Sequence, residues 1–140
     1  MQNPPPNQPA SENAKTALGL DANLGAALGY PIGIIALIVF IIEKDNRFAR
    51  FHALQSLLYH VAWVVIFIVL GIVFAILSIL LAAILGSTAG SILGLLITLL
   101  WLGAVGLYIL LAIVAAVKAY GGNWFKLPVL GNMTEKIVNK

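Results

Sequence analysis

The stretch "LLYHVAWVVIFIVLGIVFAILSILLAAIL", Leu57 to Leu85, contains 29 residues and not one formal charge. As an α-helix rising about 1.5 Å per residue it reaches ~43 Å, longer than the ~30 Å hydrocarbon core of a bilayer. The uncharged region extends further on both sides. From Phe51 to Val117 there are 67 consecutive residues without Asp, Glu, Lys or Arg. A domain of this size is mostly surface and cannot hide such a run from water. The composition agrees, with 61% hydrophobic and 9% charged residues against roughly 25% charged in soluble domains. Mean hydropathy is +1.03. The expectation is an all-α integral membrane protein.

Two more apolar runs flank the first, Leu24–Ile42 and Ile92–Val117, of 19 and 26 residues. As helices they reach ~28 and ~39 Å. The only polar break between the second and third runs is "GSTAGS", residues 86–91. Three transmembrane helices are therefore predicted, at about 24–42, 57–85 and 92–117, within a membrane domain of residues 18–131. The second and third form an antiparallel hairpin. Segments of about ten residues alternating in polarity, the mark of a membrane β-barrel, are not present. Residues 1–17, rich in Pro, Asn and Gln, read as a disordered tail and lack the pattern of a signal peptide. Gly121 and Gly122 are placed to stop the third helix, and a short C-terminal helix is expected from Asn132, within residues 132–140.

With three crossings, Lys44, Arg47, Arg50, Lys118, Lys126, Lys136 and Lys140 share one side and Lys15 stands alone on the other. The positive-inside rule then places the C-terminus in the cytoplasm and the N-terminus outside, with a bacterial inner membrane as the expected location. Eight thinly spread cations make no nucleic-acid patch. The absence of cysteine excludes disulfides, iron–sulfur clusters and thiolate zinc sites.

The densest polar cluster lies at the mouth of the second span. Wound at 100° per residue, His52, Gln55, Ser56, Tyr59 and His60 fall within roughly 140° of one another. Polar groups are costly in hydrocarbon unless paired, so this stripe is expected to face protein. Three readings fit it. It anchors the helix by bonding to the C-terminal tail, it forms a face for a partner subunit, or His60 or His52 serves as axial ligand to a haem or chlorin. The histidines are eight residues apart, ~12 Å along a helix, and cannot share one metal. Arg47 and Arg50 lie nearer the surface, off the stripe. Gly25, Gly29 and Gly33 in the first span, and Gly90 and Gly94 in the third, are small residues at every fourth place. Such faces let helices approach closely in lipid, within the bundle or in a homo-oligomer.

The same cluster carries a family resemblance. "EKDNRFARFHALQSLL", Glu43 to Leu58, resembles the signature of the chloroplast inner-envelope import component Tic-twenty and its bacterial relatives, in which an arginine, "FHA" and "QS" recur after the first span. The matching positions are Arg50, Phe51, His52, Ala53, Gln55 and Ser56. "GGNWFKLPVLG", with Gly122, Pro128 and Gly131, is similar to the segment that closes those domains. The resemblance runs from about Leu24 to Gly131 and implies a role associated with protein translocation.

Catalysis needs ionisable groups brought together. Here His60 is the only histidine within the expected hydrocarbon zone, and no hydrolase, zinc-protease or phosphate-loop motif is present. The expectation is a non-enzymatic accessory subunit of a larger membrane complex. Its partners are lipid and other membrane proteins, and no metal or cofactor is required.

Overall fold

The computed structural model describes residues 15–139. Its named elements are all helices: α1 (Ala22–Leu28), α2 (Gly33–Ile42), α3 (Arg47–Gly86), α4 (Gly90–Tyr120) and α5 (Leu130–Val138). Helices α3 and α4 follow one another almost without interruption, divided only where Gly86 leaves helical geometry (φ 80°, ψ 173°). Among the described residues they are the two helices long and apolar enough to cross a membrane. Most of the expected tail, residues 1–14, lies outside the described residues. Of the remainder, Thr16 is buried and Lys15 forms an isolated backbone bridge with Asp21. The chain divides into two compact units, Val61–Leu110 and the segments on either side of it.

Within Val61–Leu110 the two helices run antiparallel. Trp63 meets Tyr108 edge-on at 5.6 Å between ring centroids, and Phe67 stacks on Trp101 at 5.1 Å and 19°. Near the turn, Gly90 lies close to Ala82. Aromatic pairs of this kind add about 0.5–1.5 kcal/mol beyond the area they bury. The outward side chains are almost entirely aliphatic, including Ile79 and Ile84, 71% and 76% exposed. A surface of this chemistry suits acyl chains.

The first apolar run departs from expectation. It is not one continuous helix but two short helices of 7 and 10 residues, ~11 and ~15 Å long. Pro31 is the cause: it brings no N–H and disfavours helical geometry in the residue before it. Asp21 caps α1 by accepting from the Asn23 and Leu24 amides. After Tyr30 and Pro31 the chain restarts from an extended Ile32 (φ −133°, ψ 91°). Helix α2 then lies antiparallel to the start of α3. Gly33 faces the His60 ring, Val39 packs with Ala49 and Ala53, and the Phe40 ring sits under the Arg50 guanidinium. Small residues at 36, 49 and 53, all fully buried, permit that close approach.

Helix α4 ends as its glycines suggest, with Gly121 at the cap and Gly122 in the left-handed region at φ 72°. Helix α5 begins at Leu130 and not at the expected Asn132. It is launched by a γ-turn in which the Leu130 N–H donates to Pro128 O at 2.7 Å, with Val129 at φ 65°, ψ −55°. That geometry is strained for a β-branched residue. It brings Gly131 so close to Lys126 that a methyl group there would lie 2.8 Å from the Lys126 Cα.

Gly86 occupies a region of φ/ψ space that is essentially glycine-only, where a side chain costs of order 1–3 kcal/mol. Gly94 is helical with open space around it. Gly86→Ala is therefore expected to lower the thermal unfolding midpoint in detergent, whereas Gly94→Ala leaves it unchanged or raises it. Equal behaviour of the two variants would refute this account of the turn.

Candidate functional site

Helix α3 is buried on every side from Phe51 to Ser56, so its polar groups must find partners in the protein. The partners come from two other places in the sequence, the α1–α2 junction and the segment following α4. His52 Nε2 is 3.0 Å from the Asn123 carbonyl oxygen, and His52 Nδ1 is 3.0 Å from the Tyr30 hydroxyl. Gln55 Nε2 donates to the Tyr30 hydroxyl at 2.6 Å and to Phe125 O at 3.0 Å. Gln55 Oε1 accepts from the Leu127 N–H at 3.1 Å.

With the buried His52 ring neutral, donor and acceptor chemistry sets the direction of these bonds. A carbonyl only accepts, so His52 Nε2 carries a proton and donates to Asn123 O. In the neutral ring Nδ1 is then an acceptor, and the Tyr30 O–H donates to it. The Tyr30 oxygen in turn accepts from Gln55. Gln55, Tyr30, His52 and Asn123 thus form one ordered chain of hydrogen bonds, closed at both ends by backbone of the Asn123–Leu127 segment. Around it, the Trp124 ring lies 5.3 Å from both Phe48 and Phe51, and His52 packs on the same two rings.

A second set of contacts fits one i, i+4 ladder to another. Ser56 and His60 on α3 face Gly29 and Gly33: an added methyl would lie 3.3 Å from Ser56 Oγ at Gly29 and 3.3 Å from the His60 ring at Gly33. His60 Nδ1 donates to its own helix at Ser56 O, 2.7 Å away. The Ser56 hydroxyl is buried without a hydrogen-bond partner. Tyr59 is buried, its ring edge-on to His60. Gly25 accommodates Thr16. Arg47 bonds the Asn139 side chain, and Arg50 lies 5.4 Å from the Phe40 ring centroid. Gly90 and Gly94 are in the other unit, and Gly94 faces open space.

Sequence reasoning singled out His52 and Gln55 but missed the groups they hold: Tyr30 and the backbone at 123, 125 and 127. A tyrosine immediately before a proline inside an apolar run was the available signal, because such a hydroxyl needs a partner in lipid. Glu43, beside Lys44, Asp45 and Arg47, reads from the sequence as part of a solvated surface cluster, and the structure corrects this. Glu43 is buried, and it accepts the Ala17 amide at 2.6 Å on one oxygen and those of Asp45 and Asn46 on the other. Burial opposes ionisation, but these backbone N–H groups outweigh it and hold the carboxyl below the usual carboxylate range.

The arrangement is chemically closed. Both nitrogens of His52 are engaged, so it has no lone pair for iron or magnesium unless the Tyr30 bond is broken. Among the described residues there is no group of three or more His, Cys, Asp or Glu that could hold a metal ion.

Two outcomes follow from this geometry. Gln55→Leu takes the partner from Phe125 O, which is half-buried, and leaves the buried Leu127 N–H unpaired, the latter at about 1–3 kcal/mol. It is expected to lower thermal stability and open residues 123–127 to protease, and its effect should not add to that of Tyr30→Phe. Independent, additive losses would rule out a connected chain. For Glu43, a depressed folded pKa means that fewer protons are bound folded than unfolded. Its stabilisation is complete above the unfolded pKa and is lost as pH falls through the folded one. Glu43→Gln is expected to flatten this acid limb of the stability profile measured by thermal melting.

The comparisons with known proteins give a consistent picture. Residues 13–134 match the model of the MamF/MmsF family, described as the magnetosome magnetite crystal formation protein family. A UPF0132 membrane protein of Methanocaldococcus jannaschii is 39% identical over 125 residues, covering 87% of this chain and 93% of its own length. Another, from Archaeoglobus fulgidus, is 33% identical over 116 residues, covering 81% and 92%. No solved structure matches. These findings overturn the resemblance to the plastid import component, and with it the inference to protein translocation. The motif residues that suggested it, Arg50 to Ser56 and Gly122 to Gly131, include side chains and loop positions of the closed hydrogen-bond chain. A need of that kind is structural and too general to mark one family. The chain belongs to the MamF/MmsF family and is a membrane protein.

Proposed function

We propose that this protein is a non-enzymatic subunit of a larger membrane assembly, in which it supplies a rigid helical platform and no reactive group. The observation that supports this reading is where the buried polar side chains point. His52, Gln55, Tyr30 and Glu43 are bonded to one another or to the chain's own backbone, and the buried Ser56 hydroxyl, which has no hydrogen-bond partner, packs against Gly29. Catalytic groups are ordinarily poised for a reacting atom, whereas these are consumed in holding segments together. The assembly is placed in a bacterial-type inner membrane, with the cation-rich C-terminal side in the cytoplasm. Its partners are lipid and other membrane proteins, a second copy included.

A second reading comes from the family's printed description, magnetite crystal formation. On that reading the chain takes part in magnetite crystal formation. The archaeal relatives' names carry only membrane location.

Extraction in mild detergent followed by native sizing tests the first reading. The protein is expected in a complex well above its own 14.9 kDa, and a stable monomer with no companion would count against it. For the second, this chain is expressed in a magnetite-forming host that lacks its own family member. Altered crystal dimensions in electron micrographs are expected, and unaltered crystals would dispose of it.

A further inference from the structure

If Leu24–Ile42 crossed the bilayer, residues just before and just after it would stand ~28 Å apart, on opposite faces. They touch instead. The Ala17 amide donates to the Glu43 carboxylate at 2.6 Å, and Thr16 packs on Gly25 while bonding Leu20 O. We infer that α1 and α2 form a re-entrant hairpin, which dips into one leaflet and returns to the face it left. The protein then crosses the membrane twice, through α3 and α4, and both termini lie on the same side.

The depth of the hairpin can be measured against α3. Its open end, at Ala17 and Glu43, is level with the start of α3, where Glu43 Oε1 accepts the Asn46 amide. Its closed end lies beside Ser56 and His60, which face Gly29 and Gly33. From Asn46 to His60 is 14 residues, ~21 Å of helix. That is about half of the ~40–45 Å bilayer including its headgroups.

Three further observations support lipid around this element. Ile34, Ile38, Ile41 and Ile42 on α2 are 40–60% exposed, an apolar surface costly in water and suited to acyl chains. Between Leu24 and Ile42 the only side-chain polar group is the Tyr30 hydroxyl, and it is bonded to His52 and Gln55. Non-helical backbone at membrane depth is tolerated where protein covers it, and Tyr30, at the bend, is fully buried with its N–H donated to Ala27 O.

Charge agrees. Three crossings divide the cations seven to one. With two crossings all eight Lys and Arg residues, Lys15 included, fall on one side, and the turn at residues 86–91 alone faces the other. The positive-inside rule then puts both termini in the cytoplasm, in place of the outward N-terminus that three spans require. This inference stands whether or not the protein serves a larger assembly.

The chain has no cysteine, so single cysteines report topology cleanly. Ser11→Cys, Lys44→Cys, Lys136→Cys and Thr88→Cys are each labelled with a membrane-impermeant maleimide in right-side-out and everted vesicles, with detergent-solubilised samples as the full-labelling reference. The expected result is that the variants at 11, 44 and 136 react from the same side and the variant at 88 from the other. Reaction of residue 11 from the side of residue 88 overturns the inference. As a second measurement, Leu18→Cys with Lys44→Cys is expected to join through a short bis-maleimide in intact membranes. Failure to join in protein that labels fully at both sites also overturns it, because a crossing segment holds those thiols a bilayer apart.

Discussion

The loop backbone of Asn123–Leu127 is tied down by hydrogen bonds to buried side chains more than 60 residues earlier. Two carbonyls and one amide in that segment are satisfied by His52 and Gln55. Left unpaired, the buried Leu127 amide alone costs about 1–3 kcal/mol, a large fraction of the stability of a small domain. The Tyr30 hydroxyl joins the two side chains and ties the α1–α2 junction to the same point. Three stretches distant in sequence are therefore held by one ordered set of bonds. With His52 neutral, only one tautomer serves both neighbours.

Small residues make the arrangement possible. Gly29 and Gly33 leave room for Ser56 and His60, and Ala36, Ala49 and Ala53 let α2 and α3 approach. Gly131 does the same for Lys126 and Gln55 at the foot of α5. A salt bridge between Lys126 and Glu135 spans that foot at 2.9 Å, but as an exposed pair it adds little. The energetic weight lies in the buried bonds and in the packing that excludes water from them.

Much of the helical architecture was legible beforehand. The charge-free run from Phe51 to Val117 marked two membrane-length helices, because no soluble fold of this size buries it. Gly121 and Gly122 marked the end of α4, and the polarity of residues 52–60 marked the place where the chain would need internal partners. The reading failed where local and tertiary signals competed. Leu24–Ile42 has the length and hydropathy of a span, yet Pro31 divides it and the contact of Ala17 with Glu43 folds it back. The start of α5 is Leu130 and not Asn132 because the γ-turn at Val129 launches the helix there. The "FHA" and "QS" residues were rightly conspicuous, but their role in satisfying a loop was mistaken for a mark of ancestry.

By itself the sequence determined the solvent, the helical class and the identity of the polar residues that lipid would not accept. Each follows from composition and spacing along a single stretch. Only the tertiary structure decided which groups those residues meet. The partners of His52 and Gln55 are backbone atoms, and a backbone carbonyl leaves no trace in the letter that stands over it.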